Sequence, residues 1–228
     1  MTISVFLPCR KGSQRVPKKN IKPFAGYKHG LIEIKLEQLI NANLVDQIVL
    51  STNDEEILEY ADNLRCSKIV LHHRIDKLAS NECSTDNLVS HAVSLIPKGD
   101  ILWTHVTSPF LSSESYNQII NQYFLVLKEG YDSLMTTNIV KSFLWDEHGP
   151  INYAYSKEKW PRTQTLKPIH EVNSAVFLAS AKIYLSNNDR IGSRPFLYAL
   201  NKIEGFDIDW EEDFKIAEAM VDYGVASV

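Results

Sequence analysis

The chain is poor in cysteine, with Cys9, Cys66 and Cys83 alone among 228 residues and no CxxC pair. An odd, widely spaced trio supports neither a disulfide framework nor a zinc site, and it reads as reduced thiols in a cytoplasmic protein. Long apolar runs are missing as well. No stretch reaches the 18 residues of a membrane span, and the short run from Ile3 to Pro8 precedes basic residues, the wrong order for a secretory signal. Positive charge is not in excess: 24 Lys and Arg stand against 28 Asp and Glu, a net charge of −4. No global attraction to nucleic acid follows, although a local basic site remains open. Repeats, low-complexity tracts and Gly/Ser linkers are absent too. What remains is 44% hydrophobic and 23% charged, the composition of one globular domain over residues 1–228 with a sizeable core.

Short apolar runs alternate with amphipathic segments through the first half. Strands are expected at Ile3–Pro8, Asp46–Ser51, Ser67–Leu71, Asp100–Thr104 and Tyr131–Thr137. Helices are expected at Leu31–Asn43, after Asn53 or Asp54, at Ser84–Ile96 and at Ser113–Lys128. Repeated βα units at this spacing predict an open, mostly parallel, Rossmann-like α/β sheet with helices on both faces. Ligand loops of such a sheet gather at the carboxyl ends of the strands. The pattern breaks between Asn138 and His170, which holds Phe143, Trp145, Tyr153, Tyr155 and Trp160 without a clean period. Large aromatics argue for an insertion that packs against something rather than a disordered loop. Strands resume at Val172–Ala179 and Pro195–Leu200, and a helix closes the chain from Glu211 to Tyr223.

The segment directly after the first strand concentrates charge: Arg10, Lys11, Arg15, Lys18 and Lys19, with Gly12 and Ser13 among them. Freed backbone amides and guanidinium groups at the end of a central strand suit a polyphosphate. A solvated basic turn fits the composition equally, and the position favours phosphate. Neither GxxxxGK[ST] nor GxGxxG is present, so the loop is not a Walker or dinucleotide motif. Asp207 and Asp209, two apart, share one side of an extended segment and suit Mg²⁺ together with phosphates and water. They also fit the start of the last helix, where acids are favourable. His72 and His73 point apart in a strand and read as hydrogen-bonded or surface residues.

Arg10-x-Gly12-Ser13-x-Arg15-x-Pro17-x-Lys19-Asn20 resembles the signature of the CMP-sialic acid synthetases, or acylneuraminate cytidylyltransferases, on the nonulosonic acid branch. Five further segments resemble that family in order: Ser51–Asp54, Arg74–Ala79, Thr107-Ser108-Pro109, Asn173-Ser174-Ala175 and Asp207-Ile208-Asp209. The resemblance implies the nucleotide-diphospho-sugar transferase type of fold, and CMP transfer from CTP to a 2-keto-3-deoxy sugar acid with release of pyrophosphate. It assigns Arg10, Lys19 and Asp209 to catalysis. Arg10, Gly12, Ser13, Arg15, Lys19, Asn20, Arg74, Ser80 and Thr85 are assigned to the nucleotide. His105, Thr107, Ser108 and Asn173 are assigned to the acceptor, and Asp207 and Asp209 to Mg²⁺, with Asp209 either metal ligand or proton acceptor. Lys141 and Arg162 of the irregular segment are candidates for the acceptor carboxylate or the departing phosphates. Residues 138–170 would form the interface of a homodimer, and neither nucleic acid nor membrane is expected as a partner.

His105 departs from the family, which usually has Gln there, so N-acetylneuraminate itself is not the necessary acceptor. Two rivals stay open: a cytidylyltransferase for a phosphorylated or phosphonate acid, and a catalytically silent binding module on the same scaffold.

Overall fold

The computed structural model describes residues 2–80 and 83–228. Its first half runs β1 (Ile3–Cys9), α1 (Gly30–Asn41), β2 (Gln47–Thr52), α2 (Glu55–Asn63), β3 (Ile69–His73), α3 (Asp76–Ala79), α4 (Thr85–Leu95), β4 (Asp100–Thr104) and α5 (Ser113–Lys128). The second half runs β5 (Ser133–Val140), β6 (Trp145–Asp146), β7 (Gly149–Pro150), a 3₁₀ turn (Thr163–Thr165), β8 (Ile169–Ser180), α6 (Ala181–Asn187), β9 (Pro195–Leu200) and α7 (Glu211–Asp222). The helix starts follow from capping chemistry. The Asp54, Ser84 and Ser112 side chains accept the amides of Glu56, Asn87 and Ser115, donors that a first helical turn leaves free.

Seven strands form one sheet in the order β3-β2-β1-β4-β8-β5-β9. β8 is antiparallel to both β4 and β5, and the remaining ladders are parallel. β1 lies inside the sheet and is buried on both faces. Val5 and Leu7 join one apolar cluster with Leu31, Leu36, Ile119 and Phe214. Phe6 points to the other, with Val49, Val89, Trp103 and Tyr184. Burial on both faces explains why β1 reads as a continuous apolar run rather than an alternating one.

The excursion between β5 and β8 is narrower than 138–170. The two strands continue to pair as far as Val140 with Ile169, which confines the irregular part to 141–168. There Phe143, Trp145, Tyr153, Tyr155 and Trp160 pack ring on ring, with centroids 5.3 to 6.5 Å apart. Trp160 nevertheless stays 64% exposed and Trp145 49%. Among the described residues no helix is long and apolar enough to cross a membrane.

Candidate active site

β1 ends at Cys9 and delivers Arg10 to the carboxyl edge of the sheet. Gly12 then takes a left-handed φ of 81°, which costs glycine little. Val16, fully buried, pins the middle of the loop to the core. The five cations therefore diverge. Arg10, Arg15 and Lys19 line a cavity of about 270 Å³ with Ser13, Gln14, Asn20, His105 and Thr107. Lys18 turns outward to Glu56 at 2.7 Å. Lys11 lies exposed, its backbone amide held by Asn53 Oδ1 at 2.8 Å. Asn20 fastens the loop from behind: its side chain donates to the Arg10 carbonyl at 3.1 Å, and its own carbonyl accepts the Ile32 amide of α1.

The loop between β9 and α7 meets these cations. Lys19 Nζ donates to the Ile208 carbonyl at 2.6 Å and lies 3.8 Å from Asp209 Oδ1. Burial draws the Lys19 pKa down, opposed by Asp209 and Asp207. Arg15 Nη2 reaches the same Asp209 oxygen at 2.7 Å. The Ile208 amide donates to the Thr107 carbonyl at 2.8 Å, so the residue between the two aspartates is tied on both sides. Asp207 is hydrogen-bonded to the Thr107 side chain, yet its Oδ1 is buried without a partner among the described residues, and burial raises its pKa. Capping of α7 falls to Asp213, whose Oδ2 accepts the Asp209 and Trp210 amides. Asp207 and Asp209 are therefore not spent on the helix start. Among the described residues no group of three His, Cys, Asp or Glu is placed to hold a metal ion. A cation here would have two protein carboxylates and draw its other ligands from phosphate and water, the habit of Mg²⁺, and the unpartnered oxygen of Asp207 fits it.

Arg74 follows β3 and is 2% exposed. Its Nε and Nη2 find no partner among the described residues, and burial lowers its pKa. Unmet donors of this kind suit a ligand carbonyl or phosphate oxygen. Arg10 Nη1 lies 3.4 Å from the Ser80 carbonyl, which brings the end of α3 to the cation loop. Thr85 stands exposed at the start of α4, behind its Ser84 cap.

His105 follows β4, and its Nε2 accepts the Trp103 indole proton at 2.9 Å. The ring proton of the neutral imidazole therefore sits on Nδ1. Burial, aided by Arg190, Lys19 and Lys35, pushes the pKa down to about 3, so the ring is a neutral donor throughout the physiological range. Thr107 joins it in the cavity. Ser108 does not: it is fully buried and its Oγ has no partner among the described residues.

The sequence reading missed what sits beneath this loop. Lys35, buried in α1, donates to the Ser108 carbonyl at 2.8 Å and to Tyr116 Oη at 2.7 Å, and Gln38 donates to the Pro109 carbonyl at 2.6 Å. Burial brings the Lys35 pKa down to about 7. The available signal was two polar residues, three apart, on the apolar face of α1.

Asn173 is buried and engaged, donating to Asn138 Oδ1 at 2.9 Å and accepting from Thr136 Oγ1 at 2.7 Å. It lines a second cavity with Asp207 and Asp209. Lys141 and Arg162 are exposed and line neither cavity. A larger cavity of about 590 Å³, walled by Lys28, His29, Glu56 and Tyr60, contains none of the expected residues. His72 and His73 do point apart, towards Ser51 and Glu55.

A cation loop facing a carboxylate pair across the carboxyl edge of an α/β sheet is the layout of a nucleotidyltransferase. The chain belongs to the cytidylyltransferase family, whose sequence model, described as Cytidylyltransferase, matches residues 4–220. It is 24% identical to a pseudaminic acid cytidylyltransferase of Campylobacter jejuni, with 94% of each chain covered. Identity is also 24% to an N-acylneuraminate cytidylyltransferase of Streptococcus agalactiae, over 96% of this chain and 54% of that longer protein. Among solved structures, a CMP:2-keto-3-deoxy-manno-octonic acid synthetase complexed with CTP has the same fold. Its TM-score is 0.65 at 14% identity, over 98% of this chain and all of that one.

Proposed function

We propose that the chain transfers CMP from CTP to the anomeric hydroxyl of a 2-keto-3-deoxy sugar acid of the nonulosonic type. The observation that carries this reading is the 2.7 Å contact between Arg15 of the cation loop and Asp209 of the carboxylate pair. It joins the group that neutralises phosphate to the group that handles the attacking hydroxyl. Arg10, Arg15 and Lys19 hold the triphosphate with the Gly12–Ser13 turn and Asn20. Arg74, Ser80 and Thr85 belong to the nucleoside side, where the unmet donors of Arg74 suit a pyrimidine carbonyl. His105 and Thr107 border the reacting centre.

In the reaction the hydroxyl oxygen bonds to the α-phosphorus, and the α–β bridge breaks with its electron pair leaving on pyrophosphate. The hydroxyl proton passes to a carboxylate, and half-exposed Asp209 is the one we assign. Asp207 and Asp209 would hold Mg²⁺, which supplies charge neutralisation on the phosphates. Positioning and preorganised charge provide most of the rate in such transfers.

We also infer a homodimer closed by residues 141–168. Rings as exposed as Trp160 and Trp145 form a patch that soluble monomers rarely leave uncovered, and a symmetric copy covers it. If this segment crosses over to the partner, Lys141 or Arg162 reaches the partner's site.

The test is pyrophosphate release with CTP, UTP or ATP, Mg²⁺ and a panel of acids. Turnover of a nonulosonic acid with CTP preferred is expected. Equal use of the three nucleotides would remove the assignment. Turnover of phosphorylated or phosphonate acids alone would point to the first rival, and no turnover with any acid to a silent module.

A further inference from the structure

The second cavity, of about 320 Å³, lies beside the aspartate pair and is lined by Asn138, Glu171, Asn173, Lys202, Gly205, Asp207 and Asp209, together with Val172 and Phe206. Among the described residues it shares no lining residue with the cation cavity. The two are joined through the Arg15–Asp209 ion pair and the Lys19 bond to Ile208. Its floor is a built hydrogen-bonded unit. Asn138 stands opposite Glu171 in the β5–β8 ladder, donates to the Gly205 carbonyl at 3.1 Å and accepts from Asn173 at 2.9 Å. A Cβ on Gly205 would lie 1.9 Å from Asn138 Oδ1, so only glycine lets the loop close on this floor. The unpartnered Oδ1 of Asp207 belongs to the same wall.

The charges of the two cavities are opposed. Among the described residues the first presents Arg10, Arg15 and Lys19 and no carboxylate. The second presents one cation, Lys202, and three carboxylates, Glu171, Asp207 and Asp209. Triphosphate is favoured in the first and repelled from the second. A polyhydroxy acid with a single negative charge matches the second. Its carboxylate pairs with Lys202, while its hydroxyl or amino groups donate to Glu171 and the asparagine floor. Lys202 and Glu171 are both exposed, and neither makes a side-chain hydrogen bond or ion pair among the described residues, so both are available to a ligand.

We propose that this cavity receives the acceptor, that Lys202 and Glu171 are its specificity-determining residues, and that Glu171 selects against acids carrying a second anionic group. The inference rests on the cytidylyl-transfer reading. It places the acceptor on the side of Asp209 away from the cation loop, so the hydroxyl and the triphosphate approach the carboxylate pair from different sides.

The test is steady-state pyrophosphate release by the full chain with CTP, Mg²⁺, a panel of nonulosonic acids and one phosphorylated sugar acid. Lys202→Gln and Glu171→Gln are compared with wild type, and thermal melting verifies folding. Losing one charge-assisted contact corresponds to about a tenfold effect. Lys202→Gln is expected to raise the KM for the acid about tenfold while the KM for CTP stays within twofold. Glu171→Gln is expected to raise the KM for the favoured acid and to narrow its advantage over the phosphorylated one. An acceptor KM within twofold of wild type in both variants would overturn the inference and leave cytidylyl transfer standing. A wild-type enzyme that releases no pyrophosphate with any acid would overturn both.

Discussion

The two cavities that meet at Asp209 are built by opposite means. The cation cavity is walled mainly by one loop, residues 10–20, hung from one central strand, with His105 and Thr107 from the next. The mixed-charge cavity is assembled from three segments distant in sequence: the end of β5, the start of β8 and the loop after β9. They share one edge because β8 runs antiparallel and brings its first residues to where its neighbours end. The difference teaches how one sheet edge can separate two anionic substrates. On the proposed reading, concentrated positive charge captures the polyphosphate, and surplus carboxylate keeps it out of the adjoining space.

The comparison breaks first at Lys19. Lys19→Met removes the charge and the bond to Ile208, so kcat/KM for CTP should fall about a hundredfold, in line with the loss of a desolvated charged hydrogen bond. The KM for the acid should stay within threefold. Equal losses for both substrates, read from a two-substrate rate matrix, would mean that the cavities do not divide the labour.

A smaller effect is expected at the insertion. Trp160→Glu places charge in the exposed aromatic cluster and should shift sedimentation at micromolar concentration from a dimer towards the 26.0 kDa chain. Turnover falls with it if Lys141 or Arg162 serves the partner's site. A monomeric wild type would refute the interface, and a fully active dimeric variant would refute its location.

The smallest effect concerns His105. Its folded pKa of about 3 lies below the ordinary value of 6.5, so the folded ring stays neutral while the unfolded ring takes up a proton. The associated stability is complete above about pH 6.5 and is lost as pH falls towards 3. Urea unfolding at pH 7.5 and pH 5 should show His105→Gln less acid-sensitive than wild type by about 2 kcal/mol. The pH profile of kcat/KM should carry no limb from this ring between pH 5 and 9, and such a limb, lost in His105→Gln, would contradict a neutral donor.

The cation cavity was legible because its charges are consecutive and follow a strand whose apolar run is unmistakable. A cap at Asn53 or Asp54 was legible for the same local reason, and the structure uses Asp54. The second cavity was legible only in part, through Asn173, Asp207 and Asp209. Asn138, Glu171 and Lys202 meet only once β8 reverses, and a single sequence carries no mark of strand direction. Asn173 was singled out, but its engagement with Thr136 and Asn138 depends on that reversed register. Lys35 was hidden because a lysine in an amphipathic helix reads as solvent-facing, whereas Ser108 and Tyr116 satisfy its ammonium in the core. α6 escaped because seven residues after a long strand give too little periodicity to separate from a loop. The insertion showed its aromatics but not its limits, since pairing of Val140 with Ile169 is a property of the ladder.

The most direct test of the account is turnover of Asp209→Asn measured across a Mg²⁺ series, with CTP binding titrated on the same sample. The substitution keeps size and removes the charge that pairs with Arg15 and that we assign to the metal and the hydroxyl proton. The account predicts CTP affinity within a few-fold of wild type, a melting temperature little changed and turnover reduced at least about a hundredfold at every Mg²⁺ concentration. Near-normal turnover at low Mg²⁺ would contradict it.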